Sequence, residues 1–183
     1  PISDKITIVI VTYQTNKNIL IKCLNSINKN IKVLIVENSK KFNNKDFFLK
    51  KFKNLKVICS GSNLGYARGN NYGLGKVKTK YALILNPDTQ LKSDFFKNLA
   101  KIFKITNNFY LIGCSHVGNN KILPAGYFND NKNKEFKKII NTKKINFLTR
   151  VDWIRGFSMI INLKKFSKNN IFDKNYFLYL EEV

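Results

Sequence analysis

The sequence predicts an α/β fold built on an open, mainly parallel sheet, and three observations support this prediction. Short runs of β-branched and other apolar residues recur through the first half of the chain, as expected for strands buried on both faces. Amphipathic or glycine-rich segments of helical length separate these runs. Polar residues follow each run directly. Strands that alternate with helices imply right-handed crossovers and a parallel sheet.

The first 107 residues contain the regular part of this pattern. Apolar runs predict strands at 6–11, 33–36, 57–59 and 81–85. Helices are predicted between and after them, at 19–27, 46–52, 65–75 and from Ser93 to about residue 107. Ser93 is the expected N-cap of the last helix, because a serine hydroxyl can accept from the free amides of the first turn.

The second half of the chain has shorter elements. Strands are predicted at 111–117 and 122–128, followed by a Lys/Asn-rich loop or weak helix over 129–146. Ordered structure is expected again at 151–154 and 158–161. A chain of 183 residues with 44% hydrophobic content is expected to form one domain.

Composition excludes several kinds of site. The three cysteines lie far apart in apolar segments, which indicates reduced, buried thiols rather than disulfides. A single histidine excludes a multi-histidine zinc site. No apolar run approaches the roughly 20 residues that cross a bilayer. The net charge of +22 is almost entirely scattered lysine, which is typical of a solvated surface. A polyanion- or nucleic-acid-binding module stays as an alternative function.

Two nucleotide-binding enzyme classes need glycines that this chain lacks. A dinucleotide-binding dehydrogenase needs a glycine-rich turn after the first strand, where pyrophosphate approaches the backbone. Residues 12–18 contain no glycine. A sugar-nucleotide nucleotidyltransferase needs a glycine- and basic-rich loop at the same place, so it is a weaker alternative. The glycines occur instead after the third strand, between Asn63 and Gly75.

Polar residues that follow the predicted strands are expected to share one crevice, because ligands of open parallel sheets bind beyond the carboxyl ends of the strands. Thr12, Glu37, Asn63 and Asp88 all follow such runs. For Glu37, a ligand-binding role and a solvated loop position are equally plausible. For Asp88, which follows Asn86 and Pro87, function is the favoured interpretation.

The motifs together resemble the large inverting glycosyltransferase family usually numbered two. Within it they look most like the rhamnosyltransferase-like branch that makes bacterial surface polysaccharides. The matching segments are 11–13, 36–39, 63–73, 85–89, 151–156 and 172–182. This resemblance implies a GT-A fold over residues 1–183, with a nucleotide-sugar-binding half at 1–107 and a smaller, mixed acceptor-side half at 108–183.

The resemblance also implies roles for individual residues. Asp88 matches the metal-binding acid of a D-x-D motif whose first acid is Asn86 here. The implied cofactor is therefore a divalent metal, Mg²⁺ or Mn²⁺. Implied donor-side residues are Thr12, Tyr13, Glu37, Asn63, Gly65, Asn70 and Asn86. Gly156 matches the acceptor-side glycine.

Glu182 is the first choice for the catalytic base, with Glu181 and Asp152 as the other candidates. Arg155 is a candidate for binding phosphate or acceptor charge, with a structural surface role as the equal alternative. Glu replaces the family's usual Asp at positions 37 and 182, and the family pattern normally continues past residue 183, so a C-terminal truncation is expected.

The resemblance implies a UDP- or dTDP-linked sugar donor, a saccharide or lipid-linked saccharide acceptor, and no specific nucleic acid. The expected location is cytoplasmic, with peripheral contact at the inner face of the cell membrane left open.

Overall fold

The computed structural model describes residues 1–118, 121–127, 148, 150–166 and 171–175. The strands of its first half are β1 (Ile6–Thr12), β2 (Lys32–Glu37), β3 (Leu55–Cys59) and β4 (Tyr81–Leu85). The helices are α1 (Lys17–Asn25), α2 (Lys45–Lys51), α3 (Gly65–Leu74) and α4 (Phe95–Ile105). The strands of the second half are β5 (Leu111–Gly113), β6 (His116–Gly118), β7 (Lys121–Leu123), β8 (Gly126–Tyr127), β9 (Trp153–Ile154) and β10 (Ser158–Asn162).

The described residues form a six-stranded sheet in the order β3-β2-β1-β4-β10-β5. The first four strands of this order are parallel, and β10 runs antiparallel to both of its neighbours. The predicted mainly parallel α/β sheet is therefore confirmed. After β3 the chain returns to the far side of β1 to form β4, so the strand order reverses between β1 and β4.

Alternate side chains of the strands enter two separate cores, as the two-residue period of a strand requires. One core contains Ile6, Ile8 and Ile10 of β1 and is covered by α1, α2 and α4. The other contains Val9 and is covered by α3. The four helices therefore cover both faces of the sheet, which explains why most residues of the strands are apolar on both faces.

The predicted strand at 111–117 is wrong. The chain pairs with β10 as β5, leaves the large sheet after Gly113, and forms β6 in a separate hairpin with β7. The predicted strand at 122–128 is likewise divided between β7 and β8, and β8 pairs with β9. The predicted loop at 129–146 lies outside the described residues.

Ser93 does not cap α4. The N-cap is Asp94, whose side chain accepts from Asn98 Nδ2 at 2.9 Å instead of binding a first-turn amide. The helix also ends at Ile105, because Thr106 is extended. Leu99 is its one buried residue, so packing of the apolar side, rather than a capping side chain, stabilises this helix.

Candidate active site

The polar clusters predicted to share one crevice lie at one edge of the sheet. Thr12 at the end of β1 pairs in register with Glu37 at the end of β2, and Glu37 pairs with Cys59 at the end of β3. The segment that contains Asp88 follows β4, which is parallel to β1. Glu37 and Asp88 therefore lie at the same edge of the sheet, and their convergence on one crevice stays a prediction.

Glu37 is a buried carboxylate at this edge, with only 3% of its surface exposed. The Thr12 hydroxyl donates to its Oε2 at 2.6 Å, and the backbone N–H of Gln14 donates to its Oε1 at 3.4 Å. Among the described residues, the sole ion pair joins Pro1 to Asp4, so no lysine or arginine there neutralises Glu37. A buried carboxylate needs hydrogen-bond donors, and Glu37 retains lone pairs for a ligand.

A cavity of about 430 Å³ opens at Glu37. Gln14 and the rings of Phe42 and Phe48 form part of its wall, together with three lysines, Lys17, Lys40 and Lys41. Its volume lies within the range of small-molecule sites, and aromatic rings beside a few fixed polar groups are typical of them. The lysines place positive charge around an opening that has a carboxylate inside.

The side-chain amide of Asn38 connects this region to α3, and that of Asn70 binds within the helix. Asn38 Nδ2 donates to the carbonyl of Gly65 at 2.8 Å, and Asn70 Nδ2 donates to the carbonyl of Tyr66 at 3.1 Å. The Oδ1 atoms of both asparagines are buried without a hydrogen-bond partner. Such atoms are costly to bury.

The start of α3 depends on a glycine. Gly65 has φ +74°, a left-handed conformation that a side chain would strain, and its N–H binds Asn63 Oδ1 at 3.0 Å. Gly69 brings the helix so close to Asn38 that an added Cβ would lie 3.0 Å from Asn38 Nδ2. The predicted donor-side residues Asn63, Gly65 and Asn70 therefore lie just before α3, at its start and in its middle, and this helix packs against Asn38, which follows β2.

Asp88 is exposed in a tight turn that follows β4. The N–H of Thr89 donates to the carbonyl of Asn86 at 3.1 Å, which closes a four-residue turn with Pro87 second and Asp88 third. The N–H of Asn86 donates to the carbonyl of Phe157 at 2.9 Å, so the predicted donor-side Asn86 lies beside the acceptor-side strand β10.

The segment predicted to lie on the acceptor side has its own contacts. The Tyr66 hydroxyl of α3 donates to the carbonyl of Gly156, which brings the predicted glycine against the donor-side helix. The guanidinium of Arg155 donates to the Tyr127 hydroxyl and lies 5.1 Å from the centre of that ring. These contacts favour the structural alternative for Arg155. Asp152 and Tyr13 are exposed.

His116 packs edge-on against Phe157, with 5.0 Å between ring centres. Desolvation, followed by the positive charge of Arg155, lowers the pKa of this histidine below its ordinary 6.5. Its Nδ1 is buried without a hydrogen-bond partner. The neutral imidazole is therefore the favoured form beside the acceptor-side segment.

The carboxylates of the described residues do not form a metal site by themselves. Within the described part of the chain, no group of three or more His, Cys, Asp or Glu side chains could hold an ion. Asp88 alone, exposed at a turn, fits a cation that takes its other ligands from phosphate and water, as Mg²⁺ commonly does. Glu181 and Glu182 lie outside the described residues.

Sequence reasoning missed several parts of the site. The backbone N–H of Gln14 donates to Glu37, and Gln14 has φ +50°. No residue pattern in the sequence indicates this left-handed conformation. Lys40 and Lys41 follow β2 directly, but the general excess of lysine concealed their position. Asn38 was recognisable only as one of several polar residues after a strand.

Curated relatives are similar to this chain at low identity. The low-salt glycan biosynthesis hexosyltransferase Agl10 of Haloferax volcanii is 26% identical over 189 residues, which cover 98% of this chain and 60% of that protein. The rhamnosyltransferase WbbL of Escherichia coli is 26% identical over 195 residues, covering 90% of this chain and 68% of that protein. The chain thus spans about two thirds or less of the length of these relatives.

Solved structures share the fold. The structure of S. aureus TarS residues 1–349 in complex with UDP has a TM-score of 0.65 and 18% sequence identity to this chain. The match covers 97% of this chain and 52% of the TarS chain. The mannosyltransferase PcManGT of Pyrobaculum calidifontis, in complex with GDP-Man and Mn²⁺, matches 93% of this chain and 48% of its own, with a TM-score of 0.60 and 12% identity. The chain has the GT-A fold of these proteins.

Of the described helices, none is long and apolar enough to span a membrane. The model of the family described as glycosyl transferase family 2 matches residues 7–166, and the chain belongs to that family.

Proposed function

We propose that this chain binds a nucleotide-diphosphate sugar and transfers the sugar, with inversion and metal assistance, to an acceptor hydroxyl. The observation that carries the proposal is the buried Glu37 carboxylate, which opens on a lysine-rimmed cavity at the same sheet edge as the Asp88 turn. A nucleoside diphosphate has complementary chemistry, since it carries hydrogen-bond donors at one end and negative charge at the other.

The polar groups at that edge of the sheet support the assignment of the donor-binding residues. Base N–H groups or ribose hydroxyls can donate to Glu37, whose conformation Thr12 and Gln14 fix from inside the fold. Tyr13 is 50% exposed beside them and is available to contact the nucleoside. Asn63, Gly65 and Asn70 are assigned to the donor because the start of α3 lies next to Asn38 at the end of β2. Asn86 precedes the turn that presents the metal-binding acid.

Asp88 is assigned to the divalent cation, Mg²⁺ or Mn²⁺. A bound cation would offset the negative charge that develops on the leaving nucleoside diphosphate. The exposed position of Asp88 supports this role, because its side chain is free to bind without leaving a buried contact. PcManGT, which has the same fold, was crystallised with GDP-Man and Mn²⁺.

The acceptor half is assigned to the segment that contains Asp152 and Gly156 and to the acidic pair. An inverting transfer needs a carboxylate that accepts the acceptor's proton as the hydroxyl attacks the anomeric carbon. Glu182 is proposed as that base, with Glu181 and Asp152 as the alternatives. We propose that residues 1–183 belong to one catalytic domain with a donor half and an acceptor half.

The substrate classes follow from the relatives and neighbours. TarS was solved with UDP-GlcNAc, and the curated relatives are a hexosyltransferase and a rhamnosyltransferase. We assign a UDP- or dTDP-linked donor and a saccharide or lipid-linked saccharide acceptor in surface polysaccharide synthesis. The net charge of +22 supports peripheral contact with an anionic membrane at the cytoplasmic face, where lipid-linked acceptors are accessible.

Thermal shifts with UDP, dTDP and GDP, each with and without Mn²⁺, test the proposal. UDP or dTDP is expected to raise the melting temperature more with Mn²⁺ than without it, because only binding to the folded state stabilises it. Asp88→Asn should remove the Mn²⁺-dependent part and leave the unliganded melting temperature unchanged. Asp94→Asn is the matched control, since this exposed carboxylate lies in the same segment. Steep salt-dependent DNA binding without any nucleotide effect would instead support a polyanion-binding module.

A further inference from the structure

Hydrogen bonds to α1 hold the segment that contains the Asp88 turn. The carbonyl of Asn86, which closes the turn by accepting from Thr89, also faces the thiol of Cys23 at 3.8 Å. Cys23 lies in α1 and is completely buried. Burial, together with the nearby Asp88 carboxylate, raises the pKa of this thiol to about 12. The thiol donates to the Asn86 carbonyl.

A second contact lies at Leu91, two residues after the turn ends at Thr89. The N–H of Leu91 donates to the Ser26 hydroxyl at 2.9 Å, and that hydroxyl donates to the carbonyl of Cys23 at 2.6 Å. Ser26 is the C-cap of α1, where the last carbonyls of a helix lack intrahelical partners. One hydroxyl thus joins the end of α1 to the chain that leaves the Asp88 turn.

Residues 86–91 are thereby fixed at three points. The N–H of Asn86 binds the carbonyl of Phe157 on one side, while Cys23 and Ser26 bind the segment on the other. Asp88 itself is exposed between these points. The backbone on either side therefore determines where its carboxylate lies, and metal sites tolerate displacements of only about 0.5 Å.

We infer that Ser26 is a positioning residue for the metal-binding carboxylate, acting with Cys23 as a clamp that holds the Asp88 turn against α1. This inference rests on the proposed function, because it assigns the metal to Asp88. The Ser26 hydroxyl bonds to Leu91 and Cys23. Its effect is confined to the placement of the Asp88 turn, so it should alter metal-supported binding and leave metal-free binding unchanged.

Hydrogen exchange of the free protein tests the clamp without any ligand. In Ser26→Ala the Leu91 amide loses its acceptor and should exchange roughly two- to tenfold faster, as expected for the loss of one hydrogen bond. Ser26→Thr keeps a hydroxyl and should retain the slow rate. Ser93→Ala, an exposed serine that follows Leu91 closely in sequence, is the control and should leave the Leu91 rate unchanged. An unchanged rate in Ser26→Ala overturns the clamp.

Titration with UDP, in the absence and presence of Mn²⁺, tests the positioning role. For the wild-type chain, Mn²⁺ is expected to tighten UDP binding. Ser26→Ala should reduce that enhancement about three- to tenfold while metal-free UDP affinity stays the same. Ser26→Thr and Ser93→Ala should retain the full enhancement. A purely structural serine would lower the melting temperature and leave the enhancement unchanged.

The outcomes are distinguishable. If Ser26→Ala accelerates Leu91 exchange but retains the wild-type Mn²⁺ enhancement, the clamp does not position the metal ligand and the inference is overturned. If the wild-type chain itself shows no Mn²⁺ enhancement with UDP, the proposed metal role of Asp88 fails, and the positioning role fails with it. Equal losses of metal-free and metal-supported affinity would indicate general disruption of the site and would also overturn the inference.

Discussion

Gly73 is the position where α3 approaches the sheet most closely. A Cβ added there would lie 2.6 Å from Val9 Cγ1 and 2.8 Å from Val36 Cγ2, whereas ordinary contacts lie at 3.4–4 Å. Both valines are completely buried in central strands, and β-branched side chains have few alternative rotamers. Neither methyl group has space to move away, so Gly73→Ala requires α3 to shift from the sheet.

Two opposing contributions determine how much Gly73→Ala changes the free energy of unfolding. Overpacking of a core costs about 1–3 kcal/mol, whereas replacing glycine by alanine inside a helix gains about 1 kcal/mol. Because the required displacement approaches 1 Å at two rigid neighbours, we expect the upper part of the overpacking range. Gly73→Ala should therefore lower the free energy of unfolding by about 1–2 kcal/mol in spite of its higher helix propensity.

Urea denaturation at 25 °C measures this difference as a shift of the midpoint at constant slope. Gly75→Ala is the matched control, because Gly75 follows the same helix, is exposed and has φ −62°. That variant should gain about 0.4–1 kcal/mol, since alanine restricts the unfolded chain. If Gly73→Ala is as stable as Gly75→Ala, the contact between α3 and the sheet is not as close as the argument requires.

Three further predictions follow from single contacts. The proton NMR titration of His116, the sole histidine, should have a midpoint below pH 6.5, because desolvation lowers its pKa. The contribution of His116 to stability is therefore present above pH 6.5 and is lost as the pH falls toward the lowered pKa. A midpoint above pH 6.5 would contradict the assigned desolvation. Asn71→Ala should accelerate proteolysis at 171–175, because the Asn71 side chain makes three hydrogen bonds to Ile171 and Phe172; unchanged cleavage would mean that the segment is held elsewhere. In the full-length enzyme, Glu182→Gln should lower turnover about 10²- to 10⁴-fold at unchanged donor affinity, and normal turnover beside an inactive Glu181→Gln or Asp152→Asn would reassign the base.

The four parallel strands were predictable because their residues are apolar on both faces. A run such as Tyr81–Leu85 is buried at every position, and five consecutive apolar side chains bounded by polar residues are typical of a strand buried on both faces. Their order in the sheet was not predictable, since the apolar runs carry no information about which strands are neighbours. The polar strand ends nevertheless identified the correct edge, because carboxyl ends of parallel strands always share one.

The sequence of residues 111–117 does not show that the predicted strand is interrupted, because the cause of the interruption lies elsewhere in the chain. β5 ends where its partner β10 begins, and Cys114 makes the last bond, from its N–H to the carbonyl of Ser158. Beyond that point Phe157 turns to bind Asn86, so Ser115 has no strand to pair with in the large sheet. An apolar run predicts that a segment can be a strand, but partner geometry determines where the strand stops.

The glycines of α3 lower its intrinsic helix propensity, so packing must determine its structure. Gly69 and Gly73 allow one side of the helix to contact the ends of β1 and β2. The remaining surface binds later parts of the chain, through the Tyr66 hydroxyl to Gly156 and the Asn71 side chain to residues 171–172. A longer side chain at either glycine would move this whole surface outward, together with the segments attached to it. The glycine-rich stretch is therefore required less by the helix itself than by the contacts that α3 makes with the sheet on one side and with residues 156 and 171–172 on the other.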